Sequence, residues 1–174
     1  MNDVEALYRR HAPAVFRFAL SLSGSRVAAE DLTSETFVRL WTARDRVDLS
    51  TVIGYLFTIT RHLYLQGVAR DRRRAPMDGD PIDARPLHGD VVEARSELDV
   101  VLADLQTLPE SDRAALLMRA HDNIPYVEIA AALHISVGAA KVKVHRARQR
   151  LAALRIARST ARIPRAPGPK GESE

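Results

Sequence analysis

Three prolines and two glycines fall within the middle stretch 75–90, APMDGDPIDARPLHGD. No helix passes through such a segment. Each proline lacks an N–H and collides with the turn before it, and glycine loosens what remains. On either side the pattern is helical, with apolar residues recurring every three or four positions. The chain therefore reads as all-α: two small helical domains joined by a flexible linker. We place the first domain at 1–74, the acidic linker at 75–92 and the second domain at 93–158. The end, STARIPRAPGPKGESE (159–174), is rich in Pro, Gly and charge and predicts a disordered tail. A length of 174 residues suits two such units.

Charge is unevenly spread. Lys and Arg number 26 against 22 Asp and Glu, a net of +4. Arg61–Arg74 carries five Arg and one Asp, and Lys141–Arg158 carries seven bases and no acid, which leaves −7 on the rest. Two basic blocks on an acidic protein are the footprint of a polyanion binder.

Other functions are disfavoured. Without Cys there is no disulfide, thiolate zinc site or cysteine nucleophile. The sequence has no glycine-rich phosphate loop, His-Glu-x-x-His or Gly-x-Ser-x-Gly, and its six His are scattered. We therefore expect no catalytic residue, metal, cofactor or small-molecule substrate. No apolar run is long enough to span a membrane, and the N-terminus lacks a secretory pattern, so a cytoplasmic protein is expected.

In the first domain, Asn2 and Glu5 have capping-box spacing and open a helix that Pro13 bends. A second helix follows Ser25 and runs to about Ala43. Its wheel puts Ala29, Thr33, Phe37, Leu40 and Trp41 on one side and Asp31, Glu35, Arg39 and Thr42 on the other. Ser50 caps a third helix to Arg74. Val52, Leu56, Ile59 and Leu63 form its buried stripe, widened by Ile53, Phe57 and Tyr64. Its other face holds Gly54, Thr58, Arg61 and His62, with Tyr55 at the edge.

In the second domain, Leu98, Val101, Leu102 and Leu105 predict an inward-packed helix, and Pro109 opens the next. A short helix with Val127, Ile129, Ala130 and Leu133 leads through His134-Ile135-Ser136 into a long one capped by Ser136. That helix has a clean inner stripe: Ala140, Val144, Ala147, Leu151 and Leu154. A short helix, a tight turn and a basic helix make a helix-turn-helix. Ala130 is small where the helices must approach, and Ile135 plugs the turn. The outer face is free of acids, as insertion between phosphates requires. Ser136, Ala139, Lys141, Val142, Lys143, Arg146 and Arg150 are its candidate DNA contacts, with Ala139 and Val142 suited to thymine methyls.

Four ordered stretches resemble one family: AEDLTSETFVRLW (29–41), GYLFTITRHLYLQGVARDRRR (54–74), LQTLPESDRAALLMR (105–119) and YVEIAAALHISVGAAKVKVHRARQRL (126–151). Residues 4–155 are similar to a bacterial RNA polymerase sigma factor of the extracytoplasmic-function (ECF) subfamily. The resemblance implies that Asp31, Glu35 and Arg39 meet the beta-prime clamp helices of core polymerase, with a beta-flap contact elsewhere. It also implies that the loop Arg44–Ser50 and the third helix capture melted −10 bases. Tyr55, Thr58, Arg61 and His62 are the helix candidates there, and Arg70, Arg72, Arg73 and Arg74 suit phosphates. The final helix would read the −35 element, and the acidic linker would thread near the polymerase's RNA path. Members are often held near the membrane by an anti-sigma partner, which no residue here identifies.

This sequence departs from the family where His134 replaces a frequent Gly at a turn that calls for φ > 0. His62 and Gln66 replace a frequent Asn and Asp. Ala139, Val142 and Lys143 stand where Thr, Ser and Arg are common. The alternative reading is a stand-alone helix-turn-helix regulator that binds operator DNA without polymerase.

Overall fold

The computed structural model describes residues 2–43, 52–74 and 96–161. The expected loop at Arg44–Ser50, the linker and the tail beyond Ala161 lie outside them. Among the described residues the chain forms seven helices: α1 (Asn2–Ser23), α2 (Arg26–Ala43), α3 (Val52–Arg74), α4 (Glu97–Gln106), α5 (Glu110–Asp122), α6 (Tyr126–Leu133) and α7 (Val137–Ala161).

The first three helices pack mutually. Val15, Phe18 and Leu22 of α1 meet Phe37 and Leu40 of α2 and Leu56 and Phe57 of α3 in one buried cluster. Phe18 stacks on Phe57 with ring centroids 4.3 Å apart, and Tyr8 meets Phe37 edge-on at 4.8 Å. Helix α1 runs without a break through Pro13. Gly24, at φ +70°, turns the chain into α2, and Ser25 caps that helix by accepting from the Ala28 N–H.

Two inward positions were not legible from apolar spacing. Thr36 and Thr60 are fully buried, and their hydroxyls lie 3.0 Å apart across α2 and α3. The carbonyls of Leu32 and Leu56, four residues back, also lie within reach, so one hydroxyl donates to the other while that one donates to its own carbonyl, and neither is an unmet polar group. Conversely, Trp41 is 46% exposed. The stripe that turns inward is Ala29, Thr33, Thr36, Phe37 and Leu40, which leaves Trp41 on its flank.

In the second domain α5 is the central helix, with every residue from Asp112 to Met118 buried. A capping box at Ser96 and Asp99 starts α4. That helix buries Leu105, whereas Leu98 and Val101 are more than half exposed, contrary to expectation. The packed side of α4 lies toward its C-terminal end. Val127 is likewise exposed on α6, whose buried side is Ile129, Ala130 and Leu133. The inner stripe of α7 is buried at Ala140, Val144 and Ala147, then loosens at Leu151 and Leu154. Helix α7 continues to Ala161, so the first three residues of the expected tail, 159–161, are helical.

The two domains are packed together. Helix α1 touches α4 and α5, and α3 touches α5 and α6. Buried apolar residues of both belong to one continuous cluster.

Candidate nucleic-acid interface

The turn between α6 and α7 is built as a Schellman motif. His134 adopts φ 55°, ψ 45°, the Ile135 N–H donates to Ala130 at 3.0 Å, and His134 donates to Ala131. The left-handed conformation expected at His134 is therefore present, held by a residue with a Cβ. Ile135 lies half-buried against the core. Ser136 then caps α7, accepting from the Ala139 N–H at 3.1 Å.

Past the cap, Lys141, Val142, Arg146 and Arg150 are exposed on α7, and Ala139 is half-buried. The Lys141 ammonium lies 5.9 Å from the centroid of the Tyr126 ring. The same ring carries the Arg119 guanidinium at 4.9 Å. Arg119 also donates to the carbonyls of Asn123 and Ile124, tying down the turn before α6. Lys143 is placed differently from its neighbours. Its Nζ donates to Asp112 Oδ1 and Ser111 Oγ, both at 2.9 Å, and only a quarter of its side chain is exposed. Wheel reasoning puts Lys143 on the outer face. The structure turns it toward α5, because the α5 terminus brings a carboxylate within reach. Arg158, at the end of the basic block, pairs with Asp104 of α4, and that bond raises its pKa above the usual arginine value.

On α3, His62 and Arg70, Arg72, Arg73 and Arg74 are exposed, Tyr55 is 37% exposed, and Thr58 is half-buried and donates to the Gly54 carbonyl. The expected exposed side of this helix is therefore split. Its last two turns face outward, whereas its first half lies against the second domain. Arg61 is the clearest case. Its Nε and Nη2 donate to the two carboxylate oxygens of Glu110, each at 2.7 Å. With 15% of its side chain exposed, it is not an open phosphate contact in this arrangement.

Asp31 and Glu35 are exposed on α2, and Arg39 is partly so. Arg39 donates to Glu35 at 3.2 Å and reaches Gln66 of α3 at 3.4 Å. Gln66 in turn lies 2.8 Å from His62. A groove of about 1040 Å³ follows this seam between α2 and α3. Glu35, Arg39, His62, Gln66, Arg70 and Arg73 line it, over Leu63 and Ala69. The structure thus brings the α2 stripe and the basic end of α3 onto one surface.

Arg113 was missed in the sequence. It is 4% exposed and donates to the Leu105 carbonyl and, across the domain boundary, to the Tyr64 hydroxyl, each at 3.2 Å. An arginine between an acid-rich turn and an apolar run gives no signal of burial. Among the described residues no group of three or more His, Cys, Asp or Glu could hold a metal ion, and no helix is long and apolar enough to cross a membrane.

The family model for Sigma-70 region 2 matches residues 7–74, and that for Sigma-70 region 4 matches 99–151. ECF RNA polymerase sigma factor EcfG of Rhodopseudomonas palustris is 35% identical over 144 residues, which cover 82% of this chain and 79% of that protein. ECF RNA polymerase sigma factor SigE of Mycolicibacterium smegmatis is 36% identical over 87% of this chain, which spans only 61% of the length of that relative. Among solved structures, the sigma factor RpoE of Bartonella quintana in complex with the anti-sigma factor NepR superposes with TM-score 0.74. The sequences are 29% identical, and the match covers 88% of this chain and 97% of that one. The chain belongs to the sigma-70 family of RNA polymerase sigma factors, in its ECF branch.

Proposed function

We propose that this chain binds core RNA polymerase and directs it to promoters, reading a −35 element with α7 and a melted −10 element with α3. The observation that carries the reading is a division of labour. A helix-turn-helix with an acid-free outer helix and a second basic helix sit on separate domains, and beside the second runs an exposed carboxylate stripe.

In the second domain, the N-terminal part of α7 enters the major groove. Lys141, Arg146 and Arg150 meet phosphates or base edges, and Ala139, Val142 and the Ser136 cap lie at the groove surface. Lys143 supports this helix from the side, through Asp112. In the first domain, Tyr55 and His62 offer rings for unpaired bases. Thr58 is the polar candidate beside them, and Arg61, Arg70, Arg72, Arg73 and Arg74 supply charge for the backbone. Asp31, Glu35 and Arg39 form the polymerase-docking ridge, seated on the beta-prime clamp helices, and the second domain meets the beta flap. The boundaries 1–74 and 93–158 are the corresponding promoter-reading units, and 75–92 is the tether between them. The role is non-enzymatic and exercised in the cytoplasm. The solved relatives in complex with anti-sigma factors support an anti-sigma partner for this chain too.

Run-off transcription with core polymerase on selected genomic promoters tests the reading. The chain should support initiation, and promoter binding should fall steeply with salt as counterions are released. Tight promoter binding without core, and no initiation with it, would favour the stand-alone regulator. Charge reversal at Asp31 and Glu35 together should weaken polymerase docking. Unchanged docking would remove that face from the interface.

A further inference from the structure

We propose that Arg39 and Gln66 are positioning residues that hold the His62 ring in its Nδ1–H tautomer, so that α3 meets an unpaired base with a fixed hydrogen-bond donor. The inference rests on the −10 role proposed for α3 above and names one source of its base preference.

A polar chain crosses the seam between α2 and α3. Glu35 Oε1 accepts from Arg39 Nε at 3.2 Å, Arg39 Nη2 donates to Gln66 Oε1 at 3.4 Å, and Gln66 Nε2 lies 2.8 Å from His62 Nε2. The directions of these bonds are fixed by chemistry. Arginine has donors only, so the atom of the Gln66 amide that faces Arg39 is its oxygen. The amide nitrogen is then turned to His62. It too can only donate, so His62 Nε2 accepts with a bare lone pair. A neutral imidazole carries one N–H, and the hydrogen bond at one nitrogen decides where that proton sits. The proton of His62 is therefore on Nδ1.

Among the described residues lining the groove, Glu35 is the one carboxylate, and Arg39 takes it up. The other charged side chains there, Arg70, Arg73 and Arg74, offer no acceptor that could draw the proton back to Nε2. Spacing makes the chain possible, since Glu35 and Arg39 on one helix, and His62 and Gln66 on the other, are each four positions apart. His62 is exposed in the groove, and its Nδ1 makes no hydrogen bond among the described residues. A single donor is left for a ligand. A base carbonyl or an unprotonated ring nitrogen satisfies it, whereas an amino group or a ring N–H does not. Stacking on the ring face accepts any base, so the ring edge is where this side chain discriminates.

The first test is spectroscopic. Ring-nitrogen NMR of the full-length chain, with isotope-labelled histidines at about pH 8.5 where imidazole is neutral, reads the tautomer directly. The His62 signals, assigned by their loss in His62→Gln, should show a protonated Nδ1 and a bare Nε2. Gln66→Glu puts an acceptor at the same reach and should reverse this to Nε2–H. Arg39→Met frees the amide to rotate and should leave a mixture. A wild type that is mostly Nε2–H, or a tautomer that Gln66→Glu does not move, overturns the proposal.

The second test reads bases. Holoenzyme reconstituted with core polymerase selects from a promoter library randomised across the −10 element. The wild type should favour a base at one position, and Gln66→Leu should cut that preference on the order of fivefold, the worth of one net hydrogen bond. Gln66→Glu should move the preference to a base that presents a donor. In a His62→Ala background neither substitution should alter the preference, which separates the ring from any direct effect of residue 66 on DNA. Preference unchanged in both Gln66 variants, whether initiation is intact or uniformly reduced, overturns this proposal alone. A wild type that initiates on no promoter overturns the promoter-reading role, and the proposal falls with it.

Discussion

Helices α3 and α7 each give up one base to the first turn of α5, but the acids that take them belong to different relationships. Asp112 and Ser111 hold Lys143 within one domain, so that pair persists wherever the domain goes. Glu110 holds Arg61 across the boundary, so that pair exists only while the domains are together. Two acids of one helical turn therefore serve opposite ends. One stiffens the helix proposed to read the −35 element, and the other ties up part of the helix proposed to read the −10 element. A basic residue in a DNA-facing block is thus not automatically a DNA contact. Who supplies its counter-charge decides whether it is fixed, conditional or free.

The contrast can be broken at several levels. The largest effect should come from Phe57→Ala, which removes the ring stacked on Phe18 and opens a cavity in the first domain, costing about 3–5 kcal/mol. Denaturant unfolding followed by separate probes in the two domains would show whether the second domain follows the first. One transition is expected, since the buried cluster is continuous. Asp112→Ala should come next, at about 1–3 kcal/mol in thermal unfolding, because it strands a mostly buried Lys143.

His134→Gly acts in the opposite direction. Removing the Cβ at φ 55° relieves left-handed strain, and a gain of about 1 kcal/mol in stability is expected. A lower melting temperature would show that the side chain contributes more than the strain costs.

The smallest effect concerns pH. His11 and His121 are held below the usual histidine pKa, in both cases first by burial. The Arg10 charge adds to this at His11 and the Arg17 charge at His121, while Asp122 opposes it at both. His121 Nε2 is enclosed without a hydrogen-bond partner. The folded state therefore prefers both rings neutral. Stability is full above the unfolded value of about 6.5 and is lost as pH falls through it toward the lowered folded values. Denaturation midpoints at about pH 7.5 and about pH 5 should show this loss. His121→Phe should flatten it.

Much of the fold was legible because helical periodicity and caps are local. The α2 start after Ser25, the Ser136 cap and the α7 stripe through Ala147 all follow from residues within a few turns of one another. The left-handed turn at His134 was legible for the same reason. The misreadings share a cause. Leu98, Val101 and Trp41 are apolar at helical spacing, but spacing states only that one face is apolar. Whether another helix arrives to cover it is a non-local fact. Thr36 and Thr60 are the converse, polar residues buried because each finds the other across two helices.

By itself the sequence determined the helices, the helix-turn-helix and the family, because each depends on neighbouring residues or on motif order. The tertiary structure alone decided which bases stand open. Arg61, Lys143 and Arg158 are set apart from the other bases of their blocks by acids 49, 31 and 54 positions away. An ion pair depends on distance in space, and the sequence records only distance along the chain.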